Sequence, residues 1–320
     1  MNILKNSAKI IGFMVMLAVV GCKSEKKQEL PVEEPVVEEP KVTLSSDVHV
    51  ETEHMEFKAP DSIPSGWVTF TYENLSFEPH FFILEKLPEG KRIDDYKNEV
   101  IPVFQNGMDL LSAGKTNEGF ESFGALPEWF GQVVICGGSG LISPKVTSVT
   151  TLKLEPGYYL MECYVKMSNG QFHSDMGMLK SLVVSETASE KQEPSATRVV
   201  TVSKAEGMSL NIPMTKGAQT IEVLYGDQEP HANFVGHDVH LVALEEGANL
   251  EDLEHWMDWT QPKGMMSPGP AGSTFMGGVQ EMQAGNKGYF DVDLKPGKYA
   301  FISEVPEPSK KNLMLVFKVE

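Results

Sequence analysis

Positive charge is scarce in this sequence. Its 320 residues hold 27 lysines and arginines against 45 aspartates and glutamates, a formal net charge of −18. Nucleic-acid binding needs clustered Lys and Arg, so that class of partner is excluded. Cysteine is scarcer still, with three residues at Cys22, Cys136 and Cys163. The apolar run Ile10 to Gly21 is too short to span a bilayer comfortably, which takes about 20 residues. Enzyme motifs are missing as well. There is no His-Glu-x-x-His zinc pattern. Gly137-Gly-Ser-Gly140 is followed by neither a helix pattern nor Lys-Ser/Thr, so it is no phosphate loop. Leu141 stands where a nucleophile elbow needs its last glycine. The chain is read as a non-enzyme.

What is present begins with an address. Lys5 and Lys9 precede the apolar run, which ends Val19-Val20-Gly21-Cys22. This resembles a bacterial lipobox. The resemblance implies a signal peptide over residues 1–21, cleavage before Cys22 and lipidation of its thiol. Loss of two lysines and no acid would take the charge from −18 to near −20. Residues 22–44 are rich in Lys, Glu, Pro and Val without apolar periodicity, a composition that cannot offset its ordering entropy. They read as a tether. The expected location is the bacterial cell envelope, on the outer membrane facing the periplasm, since Lys23 is not the aspartate that retains many lipoproteins in the inner membrane. The expected partners are the membrane, through Cys22, and an envelope protein.

After the tether, alternation from Val50 onward reads as a strand, Ile63-Pro-Ser-Gly66 as a turn, Trp67 to Tyr72 as a strand and His80 to Leu84 as a buried strand. Ile93, Tyr96, Val100 and Phe104 suggest a short amphipathic helix that Pro102 kinks or ends. Ser112 to Gly131 reads as loop, the glycines at 137–140 as a turn, and Val146 to Leu154 as a strand. Leu154 to Val184 then runs as strand, polar loop and strand, with His173 and Met178 in the loop.

The plan repeats. Leu154-Glu-Pro-Gly-Tyr-Tyr159 returns as Leu294-Lys-Pro-Gly-Lys-Tyr299, and Ile135-Cys-Gly-Gly138 as Phe275-Met-Gly-Gly278. His80 returns as His240, and the helix returns over Asn249 to Trp259. Cys163 matches Ser303 and Cys136 matches Met276.

The spacing His173-x4-Met178, with His80 upstream and Met55-Glu-Phe-Lys-Ala-Pro60 and Ile63-Pro-Ser-Gly-Trp-Val-Thr-Phe70 before it, resembles the cupredoxin or blue-copper family. The resemblance implies an all-β chain of two tandem cupredoxin-like Greek-key β-sandwiches, each with a short helical insertion. The first covers residues 45–186, a linker 187–196, and a degenerate second copy 197–320. It also implies copper, with His80, His173 and Met178 as ligands. Three residues before His173, where plastocyanin-like proteins place the cysteine, this chain has Gly170. Cys163 is ten residues away, so no blue type 1 centre is expected. For Cys136 and Cys163 a disulfide and two free buried thiols both stand open, with a thiolate metal pair as a third reading. His231, His237 and His240 form a second group, read as polar residues around a strand entry. Two functions follow: a copper-binding or copper-handling module with a non-blue His/His/Met site, or a metal-free scaffold that binds a partner.

Overall fold

The computed structural model describes residues 44–231 and 234–320. The signal peptide, Cys22 and all but the last residue of the tether lie outside the described residues. Among the described residues, sixteen strands carry the fold. In the first half they are β1 (Asp47–Glu53), β2 (Glu56–Lys58), β3 (Ser62–Asn74), β4 (His80–Lys86), β5 (Val134–Ile142), β6 (Thr147–Leu154), β7 (Gly157–Glu162) and β8 (Leu179–Ala188). The second half contributes β9 (Arg198–Ser203), β10 (Gly207–Leu210), β11 (Gly217–Tyr225), β12 (Val239–Leu244), β13 (Ser273–Val279), β14 (Lys287–Leu294), β15 (Gly297–Ile302) and β16 (Met314–Val319). Helices α1 (Ile93–Glu99), α2 (Ile101–Ser112) and α3 (Thr116–Ser122) lie between β4 and β5, and α4 (Leu250–Met257) between β12 and β13. The all-β class is observed.

Two layers result. One runs β2-β1-β3-β6-β14-β11-β9-β10 and the other β8-β7-β4-β5-β13-β12-β15-β16. The start of β3 pairs in parallel with β8 before the strand crosses to the opposite layer. Ile63-Pro-Ser-Gly66 is therefore extended chain with a register shift after Pro64, not a turn. A Pro near the start of a strand removes one donor at a bulge, where the ladder tolerates it.

The halves join edge to edge in both layers. Thr150 of β6 faces Phe290 of β14, and Ser139 of β5 faces Val279 of β13, both antiparallel. Each pair has the same offset as Leu154 and Leu294 in the sequence repeat. Equivalent strands meeting antiparallel at equivalent residues are what a local two-fold axis requires. Each half thereby covers the open strand edge of the other, which in isolation would be a template for unwanted pairing.

Helices α1 to α3 cover the outer face of β4 and β7. Tyr96, Val100 and Ile101 bury against Leu87, Leu160 and Leu179, so β4 is buried on both faces. The helical pattern breaks at Val100, and Pro102 sits in the first turn of α2, where its missing N–H costs nothing. Residues 112–131 are not simply loop, since α3 and two short 3-10 turns occupy them. In the second half Asn249 caps α4 by accepting the Glu251 amide at 3.0 Å.

The glycines at 137–140 are not a turn either; they lie inside β5. A Cβ on Gly138 would stand 1.9 Å from the Phe82 carbonyl oxygen, and one on the equivalent Gly278 2.0 Å from that of Val239. No side chain fits such an approach of neighbouring backbones. Gly138→Ala and Gly278→Ala should each lower stability by about 2–4 kcal/mol. Gly90→Ala, at a positive φ but with open space around it, should cost about 1 kcal/mol. Urea unfolding midpoints of the three variants check the order.

Candidate metal centre

His80 opens β4, and Cys163 directly follows β7 on the neighbouring strand. The chain then leaves the sheet and turns back. The Met167 amide donates to Gln171, the Gly170 amide to Met167, and the His173 amide to Val165 at 2.8 Å. Gly170 has φ +89° at the tip, a conformation that suits glycine. This small hairpin returns His173 to Cys163 across the nine intervening residues. A second tight turn follows, with the Met178 amide donating to His173 at 2.9 Å and the Cys163 amide to Met178 at 3.3 Å. All four residues are fully buried.

The donor atoms converge. Cys163 Sγ lies 3.7 Å from His80 Nδ1 and 3.7 Å from His173 Nδ1, and the two Nδ1 atoms are 3.2 Å apart. The point equidistant from the three lies about 2.1 Å from each, close to the ~2.0–2.3 Å of imidazole and thiolate bonds to a first-row metal. Burial holds the three groups uncharged. It drives His80 well below the ordinary histidine range, with His173 adding to the effect, puts His173 at about 4 and pushes the Cys163 thiol to about 12. A bound cation reverses that for the thiol, because a coordinating thiol is deprotonated outright. The residues present therefore fit a thiophilic metal.

The predicted ligands His80 and His173 are brought together, and Met178 is joined to both His173 and Cys163 through the backbone. One expectation is corrected, and one open choice is decided. Cys163 Sγ stands beside both imidazoles despite its ten-residue offset from His173, so that offset is no ground for excluding a type 1 centre. Cys136 and Cys163 are free thiols, not a disulfide. Cys163 turns toward the two imidazoles, while the Cys136 thiol donates to the Val134 carbonyl on β5. Sequence spacing hid the first point because a hairpin intervenes. The Asn169-Gly170 dipeptide was the signal that would have revealed it.

The second half has replaced this chemistry. Ser303 stands at the Cys163 position, its amide donating to Leu313 as that of Cys163 does to Met178. The Ser303 hydroxyl donates to Asp238 at 2.5 Å, and Asp238 pairs with His240 Nε2. His240 Nδ1 accepts the Leu141 amide at 3.0 Å. Both nitrogens of His240 are thus engaged. His231 and His237 approach at 3.2 Å between their Nε2 atoms, without His240.

No family model matches the sequence, and no curated protein matches it. Solved structures with some likeness include a reduced auracyanin of Roseiflexus castenholzii, 18% identical over 45% of this chain and 99% of that one, TM-score 0.28. Auracyanin A of Chloroflexus aurantiacus, a "blue" copper protein, is 22% identical over 43% and 97%, TM-score 0.26. A copper nitrite reductase of Nitrosomonas europaea is 13% identical over 85% and 92%, TM-score 0.23. The strand order and repeat of this chain describe two all-β sandwiches joined edge to edge.

The second half also roofs the first near its centre. The Lys166 amide donates to Met265 at 2.8 Å, and the Lys166 ammonium donates to the Gln261 carbonyl at 2.8 Å, fully buried. Burial lowers that ammonium to about 7, against 10.5 in the unfolded chain. Below about 7 both states carry the charge and the burial cost is complete. As pH rises toward 10.5 only the unfolded chain still binds the proton, so this contribution to stability rises with pH. Lys166→Met should therefore raise the unfolding midpoint most at or below neutral pH, with the gain shrinking toward about pH 10. Urea titrations at several pH values check the trend.

Proposed function

We propose that the first sandwich holds one resident copper ion on His80 Nδ1, Cys163 Sγ and His173 Nδ1, with Met178 beside them, and serves as a one-electron carrier at the bacterial envelope. The observation that carries this reading is the donor triangle. Thiolate with two imidazoles is the donor set of electron-transfer copper. Bound copper would supply Cu(I)/Cu(II) redox chemistry.

The chain's own part is to hold the donors still and dry. Each donor residue is fixed through backbone hydrogen bonds or a strand, and none is exposed. A copper-delivery protein needs donors that an acceptor can reach, so complete burial favours a resident ion over a transferred one. Burial likewise leaves a substrate no approach to the donors, in keeping with a carrier and not an oxidase. Phe77 is 81% and Met176 43% exposed, each three residues from a histidine of the site. They offer an apolar contact for a redox partner. The second half, with serine in place of cysteine, is the metal-free scaffold that completes the body.

Added Cu(II) should produce an intense visible thiolate-to-copper absorption in the wild type and none in Cys163→Ser. Cu(I) affinity in chelator competition should fall at least tenfold in His173→Ala. An unaltered spectrum in Cys163→Ser would end this reading.

The lipobox-like end supports attachment through a lipidated Cys22, on the outer membrane facing the periplasm. Cys22→Ser should move the protein from the membrane fraction to the soluble fraction of its own host. Wild-type protein that is itself soluble after fractionation would remove the anchor.

A further inference from the structure

A small cleft of about 90 Å3 lies on the outer face of β4 and β7, under the helical insertion and against the second half. Only a small ligand would fit it. Phe104, Phe130, Phe234 and Trp259 form much of its wall. Phe104 and Phe234 meet edge to face at 5.1 Å, joining the insertion to the second half.

Four carboxylates line this aromatic cleft: Glu85 and Glu162 from the first half, Glu281 and Glu304 from the second. Among the described residues, no lysine or arginine forms an ion pair with any of them. Their hydrogen bonds come from neutral donors and are too few. The Tyr96 hydroxyl serves Glu162 at 2.9 Å and Glu85 at 3.2 Å, one proton between two carboxylates. Tyr164 donates to Glu304 at 2.5 Å, and the Gly236 amide to Glu281 at 2.7 Å. Oε2 of Glu85 and Oε2 of Glu304 are buried with no partner, in residues only 5% and 3% exposed. A charged carboxylate oxygen left so is costly to desolvate. The alternative is to keep protons. Burial and the neighbouring Glu162 hold Glu85 well above the usual carboxylate range, and burial and Asp238 do the same for Glu304. Burial puts Glu281 at about 7.

Acceptors without donors inside aromatic walls define a complementary ligand. We infer that this cleft binds a small protonated aliphatic amine, its ammonium donating to the free oxygens of Glu85 and Glu304 and its carbon stem against the aromatic rings. The rings add cation–π attraction to the same charge. A hard divalent ion fits less well, because it needs six or more oxygen ligands and little apolar wall. The site stands on its own residues and does not require copper.

Calorimetric titration with n-butylammonium chloride tests it. The expected result is one site per chain, weakened at least tenfold in Glu85→Gln and in Glu304→Gln. Both variants should keep the wild-type thermal midpoint or exceed it, since each relieves crowding of acids. Tetramethylammonium, which has the charge but no N–H, should bind at least tenfold more weakly than butylammonium. Absence of butylammonium binding, equal binding of the two cations, or binding unchanged in both variants would overturn the inference. So would calcium binding that depends on the same two glutamates.

Discussion

The edge-to-edge union of the two halves is the constraint on which the rest of this molecule depends. Pairing of β5 with β13 and of β6 with β14 closes two strand edges at once. It also demands backbone approach that only glycine permits. A Cβ on Gly140 would lie 2.8 Å from Gly277, and one on Gly277 2.7 Å from the Ser148 side chain. Glycine-rich runs that resemble turns in the sequence are thus the contact surface between the copies.

That union gives the second half a structural role. It has lost its thiol, and an internal Ser303–Asp238–His240 network satisfies the polar groups that a metal would otherwise engage. Its loops meanwhile cover the first copy. Met265 accepts the Lys166 amide, Tyr164 donates to Glu304, and His240 receives the Leu141 amide.

The His80–Cys163–His173 cluster and the acidic cleft lie on opposite sides of the same strand ends. Along the end of β7 side chains alternate, so Cys163 turns toward the two imidazoles while Glu162 turns to the cleft. Dry surroundings act in both places, keeping the thiol and imidazoles neutral in one and the carboxylates protonated or in need of a counter-charge in the other.

Local pattern made much of this plan legible. Alternating residues marked β6, the pairing of Pro with Gly marked the start of β7, and Asn249 marked the start of α4. The repeat appeared through Leu154 and Leu294 because equivalent turns need equivalent residues. His80, His173 and Met178 were singled out through the resemblance to the cupredoxin family. Cys163 was missed, because separation along the chain says nothing of distance once a hairpin folds between two residues. The layer crossing at Pro64, the fusion of the halves and the convergence of Glu85, Glu162, Glu281 and Glu304 were decided by tertiary structure. They join residues far apart in the chain through strand register and burial, which no local composition encodes.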